Sequence, residues 1–168
     1  NILLQEELPI SPDENAGSLH DRLMEMGAKL VVKTLDGLAE NSITEQPQPQ
    51  VEEKKNAFKI FKEDTRINWN QETKKVHNFI RGMSPYPCAF TSLKVGDEIK
   101  GLKIFAGNFE ISHHQNEAGT LEIAKNVFKI YTKDGFYSPT EVQLEGKKRM
   151  NVKDFLNGFH SFENIEIA

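Results

Sequence analysis

The chain has 168 residues, 38% of them hydrophobic, and a formal net charge of −4, which suits one sizeable core or a small domain joined to a piece of another. It contains no run of about 18 apolar residues, no basic-then-apolar opening and a single cysteine, Cys88; this predicts a cytoplasmic protein with neither a membrane-spanning helix nor a signal peptide, and one cysteine leaves no internal disulfide or cysteine-rich zinc site within these residues. Residues 1–53 hold three basic and eleven acidic side chains and residues 54–168 hold eighteen and fourteen, so the second part is net positive and the better candidate for a polyanionic partner.

In chain order, Ile2, Leu3 and Leu4 after a first residue that is not methionine read as a strand already under way, over residues 2–10, and predict that the chain is truncated upstream. Ser11-Pro12-Asp13-Glu14 and Asn15 supply helix-start signals. Leu19, Leu23, Met26, Leu30, Leu35 and Leu38 then form one apolar stripe with Asp21, Arg22, Lys29 and Lys33 turned to water. A strand and one amphipathic helix cannot enclose a core, so this piece is expected to pack on an upstream domain. Residues 41–56, with Gln46-Pro47-Gln48-Pro49-Gln50, read as an extended, semi-rigid linker.

Beyond it, Phe58, Ile60 and Phe61 form an apolar cluster, and Ile67 and Trp69 precede Asn70, a predicted cap for a helix running to about Gly82 with Val76, Phe79, Ile80 and Met83 inside. Ser84-Pro85-Tyr86-Pro87 stops that helix. Strands are predicted over 89–95, 102–112, 120–124, 127–132 and 141–144, with turns at Val95-Gly96-Asp97, 116–119 and Lys133-Asp134-Gly135. A last helix over 152–157 has Asn151 as cap and Phe155 and Leu156 as its apolar side. Five short strands suggest a small closed barrel of the OB type.

Four phrases carry a resemblance: Ile60-Phe61-Lys62-Glu63-Asp64-Thr65-Arg66-Ile67-Asn68-Trp69, His77-Asn78-Phe79-Ile80-Arg81-Gly82-Met83-Ser84-Pro85-Tyr86-Pro87, Gly146-Lys147-Lys148-Arg149-Met150 and Asp154-Phe155-Leu156-Asn157-Gly158. In order and spacing they resemble the C-terminal region of methionyl-tRNA formyltransferases, and residues 16–25 look like the last helix of that family's catalytic domain. The Lys-Lys-Arg-Met phrase and the Asp-Phe-Leu-Asn-Gly ending favour the tRNA enzyme over an alternative, the C-terminal structural domain of a sugar-nucleotide formyltransferase. Phe58 stands where the family often has proline. Cys88 stands where it often has glycine, and a cysteine is expected to forbid the positive backbone angle a glycine permits.

The resemblance implies a mixed fold: residues 1–40 as the last strand and helix of an α/β, Rossmann-like formyltransferase domain, 41–56 as linker, and 57–168 as a mostly β, OB-like tRNA-binding domain. It implies a reaction in which formyltetrahydrofolate formylates methionyl initiator tRNA, carried by an asparagine, a histidine and an aspartate of the upstream domain. No catalytic residue is therefore assigned here, this stretch alone is expected to be inactive, and the folate belongs to the parent enzyme. The expected partners are initiator methionyl-tRNA and the chain's own upstream catalytic domain in a monomeric parent, with no membrane.

Lys147, Lys148 and Arg149 are the leading candidates for phosphate contact, with Arg81, Lys54 and Lys55 behind them. Arg81 also has a structural reading as a cation at a helix C-terminus. His113-His114 makes a poor metal site, because neighbours on a strand point to opposite faces. Trp69 and Tyr86 are expected to pack at the entry and exit of the helix between them, and Cys88 to be a small half-buried filler rather than a nucleophile.

Overall fold

The computed structural model describes residues 1–50, 56–159 and 161–168. Their contacts divide into two compact units, Asn1–Lys59 and Ile60–Ala168.

In the first unit, α1 runs unbroken over Ala16–Ala39. It starts where the sequence predicts, at Asn15, whose Oδ1 accepts the Ser18 amide at 2.9 Å, and it passes straight through Gly27. Gly37 is buried because Ile43 folds back on it; a Cβ at that glycine would lie 2.5 Å from Ile43 Cδ1. The expected strand over 2–10 does not form. Among the described residues its one ladder contact is an isolated bridge between Ile2 and Gln46; an extended segment becomes a strand only beside a partner, and the described part of the first unit supplies one residue pair. Part of the helix stripe is correspondingly bare, with Leu23, Leu35 and Leu38 44 to 61% exposed, as are Met24, Val31 and Val32 outside it, at about 60%, while Leu19, Met26 and Leu30 are half-buried.

The second unit opens with a single 3-10 turn, Glu63–Thr65, after which Ile67 and Trp69 enter the core at 5% and 6% exposure. Helix α2 spans Thr73–Met83. Asn70 does not cap it: Asn68 Oδ1 accepts the Asn70 amide locally, and the helix begins three residues later. The cap comes from far along the chain, where Asp134 Oδ1 accepts both the amide and the hydroxyl of Thr73 at 2.7 Å. That carboxylate meets the positive end of the helix and satisfies a donor on a fully buried residue.

Seven strands follow among the described residues: β1 Ala89–Val95, β2 Glu98–Ile111, β3 Leu121–Ala124, β4 Val127–Tyr131, β5 Gly135–Leu144, β6 Met150–Asn151 and β7 Ile165–Ile167. The five predicted strands are all present; β6 and β7, of two and three residues, went unrecognised because segments that short carry no periodicity. The sheet order is β3-β4-β5-β2-β1-β7, with β6 beside β5. All pairs within it are antiparallel. The end strands β3 and β7 come within 8 Å of each other, so the sheet nearly closes into a barrel. Long β2 makes the bend: residues 98–104 pair β1, residues 102–111 pair β5, and register shifts around Ala106 mark a bulge within the β5 pairing, just past the end of the β1 pairing.

Inside lie Leu93, Leu102, Ile104, Ile130 and Val142, all inaccessible, with Tyr137 at the centre beside Trp69 and His77. Helix α2 closes one opening with Val76 and Ile80, and α3, Val152–Asn157, packs Phe155 on Phe128 at 5.6 Å. Asn151 caps α3 through the Asp154 amide as predicted.

Candidate nucleic-acid interface

The Lys147-Lys148-Arg149 phrase occupies the turn between β5 and β6. Gly146 at φ +75° makes the reversal, a backbone region that glycine enters without Cβ strain. The turn is pinned by the Lys147 amide on Leu144 O and by Gln143 Nε2 on Lys147 O, at 2.9 Å each. Lys147 and Lys148 stand exposed, with no ion pair to any described residue.

Arg149 differs from its neighbours. Its guanidinium binds both oxygens of Glu141, at 2.6 and 2.5 Å, and lies 4.2 Å from the centroid of Phe105. The hydrogen-bonded carboxylate holds it more firmly protonated, while cancelling much of its charge at a distance. Arg81 sits on another element, in the last turn of α2, with Nε donating to Asn78 Oδ1. Lys54 and Lys55 lie outside the described residues.

Next to this turn a groove of about 660 Å³ runs between the 60–65 segment and the outer face of β1, β2 and β5. Strand register builds it: residues facing away from the core bring Phe90 opposite Lys103, Ser92 opposite Gly101, and Lys103 opposite Gln143. Lys62 Nζ and the Arg66 guanidinium lie 6.0 and 5.9 Å from the Phe90 centroid. Phe61 and Tyr86 stand on its rim, 58% and 87% exposed. Tyr86 thus departs from the expected packing role, because the Ser84–Pro87 turn throws its ring outward, whereas Trp69 is buried and donates Nε1–H to Thr91 Oγ1 at 3.2 Å.

Cys88 forms part of the groove floor. It takes the positive angle expected of a glycine, φ +74°, with its amide donating to Met83 O at 2.8 Å, so the turn keeps its geometry at the cost of a strained non-glycine residue. Its sulfur lies 3.5 and 3.4 Å from the carbonyl oxygens of Ala89 and Ile104. Burial pushes the thiol up to about 11, against the opposing pull of Lys103 and Arg149. A thiol so held is not a nucleophile near neutral pH.

With this geometry in view, comparison with known proteins is decisive about family. Residues 59–160 match the model of the formyl transferase C-terminal domain. The chain belongs to this family. Among similar proteins, the methionyl-tRNA formyltransferases of Phocaeicola vulgatus and Flavobacterium johnsoniae are each 40% identical, over 99% and 94% of the chain. That of Azobacteroides pseudotrichonymphae is 43% identical over 94%. The chain spans about half the length of these relatives, 50 to 53%. Among solved structures, HypX from Aquifex aeolicus in complex with tetrahydrofolic acid superposes with a TM-score of 0.61 at 21% identity, covering 92% of this chain and 27% of HypX. At that identity the likeness speaks for the fold.

The charged turn was legible in the sequence as a candidate, and the groove beside it was not. The groove's signal was present as the alternation Phe90, Ser92 and Ile99, Gly101, Lys103, but which side of each strand faces out is fixed only once register is known. His113 and His114 lie just beyond β2, His114 with its ring 4.9 Å from Tyr131, and the described residues hold no cluster of three or more metal-ligating side chains.

Proposed function

We propose that this chain is the C-terminal, tRNA-holding part of a methionyl-tRNA formyltransferase. The observation that carries the reading is the 37 to 43% identity to enzymes of that name, over nearly all of this chain. In the reaction, the formyl carbon breaks its bond to a nitrogen of formyltetrahydrofolate and forms an amide bond to the amino group of methionine esterified to initiator tRNA. The amine's proton leaves for the folate nitrogen. The groups that do this belong to the upstream domain, which includes the α/β sheet that residues 1–40 would complete.

The role of residues 60–168 is positioning. Lys147 and Lys148 present two uncompensated ammonium groups on a turn whose backbone is fixed at both ends, a geometry suited to phosphate contact without base reading. Arg149 supports the turn through Glu141 and contributes less charge than its sequence position suggests; Arg81, Lys54 and Lys55 are secondary contacts. Holding the tRNA at a fixed distance from the reacting centre converts a bimolecular encounter into one that is nearly unimolecular.

The test is the affinity of this chain for initiator methionyl-tRNA over a salt series. The wild type should bind with a steep slope, and changing both Lys147 and Lys148 to alanine should lower the slope of log K against log salt by about 1 to 2. Salt-independent self-association without RNA binding would overturn the reading in favour of a structural domain, and formyl transfer by this chain alone would refute the assignment of chemistry to the upstream domain.

A further inference from the structure

We propose that the groove beside the Lys147-Lys148 turn receives one unstacked nucleotide of the bound RNA, its base against Phe61 and Tyr86 and its phosphate facing Lys62 and Lys103. The inference rests on the tRNA reading above and adds to it a place where a base leaves its stack.

Three observations converge. First, two large aromatic side chains at the rim of a concave surface, Phe61 and Tyr86, are 58% and 87% exposed, with Ile60 and Ile99 beside them at 50% and 64%. Lone exposed apolar side chains are ordinary, but a group of them around one cavity marks a place that is covered when the protein is at work. Second, the cations are available. Lys103 makes no ion pair with a described residue, and Lys62 stands above the Phe90 ring at 6.0 Å. The one carboxylate among the described residues that line the groove, Glu145, has its Oε2 accepting the Gly101 amide at 3.0 Å. Third, Glu145 and Gly146 at one end of the groove lead directly into Lys147 and Lys148.

The occupant follows from this chemistry. An apolar rim flanked by lysines matches a ligand with a flat uncharged face and an adjoining anion, the description of a nucleotide; aromatic stacking tolerates any base because every base has a π face. A duplex cannot supply it, since its bases are already stacked, so the nucleotide is an unpaired one. The cavity, about 660 Å³, lies within the size range of small-ligand sites.

Gly101 provides a way to fill the groove without touching the cations. A Cβ there would meet only Glu145 Oε2, at 3.6 Å, so a larger side chain fits the strand and projects into the cavity. The experiment compares the wild-type chain with Gly101→Leu and, as an independent variant outside the sheet, Phe61→Ala. Two probes are used: initiator tRNA, and a single-stranded hexanucleotide carrying 2-aminopurine, whose fluorescence falls on stacking. The wild type should quench the hexanucleotide, both variants should abolish the quenching, and tRNA affinity should drop about tenfold in each, within the range found for losing one stacked base. If the wild type binds tRNA with a salt slope but both variants bind equally well and no quenching occurs, the groove proposal is wrong and the tRNA reading survives. If the wild type binds no tRNA even at low salt, the reading itself fails and this proposal with it.

Discussion

Changing Asp134 to alanine removes the cap of α2 from outside the helix. Oδ1 of Asp134 accepts the Thr73 amide and hydroxyl at 2.7 Å each. The hydroxyl has a second partner in Thr132 Oγ1 at 2.5 Å, so its loss is partly made good, but the amide loses its side-chain acceptor on a residue with no exposed surface. Losing an N-cap costs about 0.5 to 2 kcal/mol. The buried amide argues for the upper half of that range and the solvent around the carboxylate for the lower, so about 1 to 1.5 kcal/mol is expected from urea unfolding of the second unit's transition. The bonds from Thr73 hold the Asp134 carboxyl below the usual carboxylate range. A group whose folded value is depressed adds stability above its unfolded value, near 3.9, and that contribution disappears as pH falls through the folded value. The difference between wild type and Asp134→Ala should therefore be full at pH 7 and shrink below about pH 4. Asp134→Asn keeps an acceptor without the charge and should lose about half as much. A change under about 0.3 kcal/mol, or a difference that does not shrink in acid, would refute the argument.

Three further outcomes follow from the same contacts. Gly135 lies so close to β2 that a Cβ would sit 1.9 Å from Glu110 O; Gly135→Ala should lower stability by about 2 kcal/mol or more, seen as a fall in melting temperature. Glu141→Gln should free the Arg149 charge and strengthen tRNA binding at low salt by a few fold, with a steeper salt slope, whereas unchanged binding would place Arg149 away from the RNA. The Cys88 thiol, buried and raised to about 11, should react with a neutral disulfide reagent at pH 8 only as fast as the unit opens, and at once in denaturant.

The fold of the second unit was legible where structure is local. β1 at Ala89–Val95 and α3 at Val152–Asn157 fall on the predicted bounds, because alternation, an Asn cap and flanking turns all act within a few residues. What was not legible depends on distant partners. The start of α2 was misplaced because its cap, Asp134, is 61 residues away. The strand over 2–10 was overread because apolar character records a tendency to be covered, and strand formation needs a neighbour that the described residues of the first unit provide only at Ile2 and Gln46. Cys88 shows the opposite error: residue identity argued against φ +74°, and the surrounding bonds impose it.

The same distinction explains why a unit with only a small positive excess can still present a cationic surface. Four of its acidic side chains are paired within the sheet: Glu98 to Lys100, Glu122 to Lys129, Glu141 to Arg149 and Glu166 to Lys94. Each pair cancels locally and leaves the net charge unchanged. Among the cations left without an ion pair to a described residue, Lys147 and Lys148 stand together where β5 turns to β6, and Lys103 on β2 lines the adjoining groove. Counting charges along the sequence treats all eighteen cations of residues 54–168 alike. The register that pairs Phe90 with Lys103 and the ladder that brings Arg149 back to Glu141 decide which of them remain free to meet a phosphate.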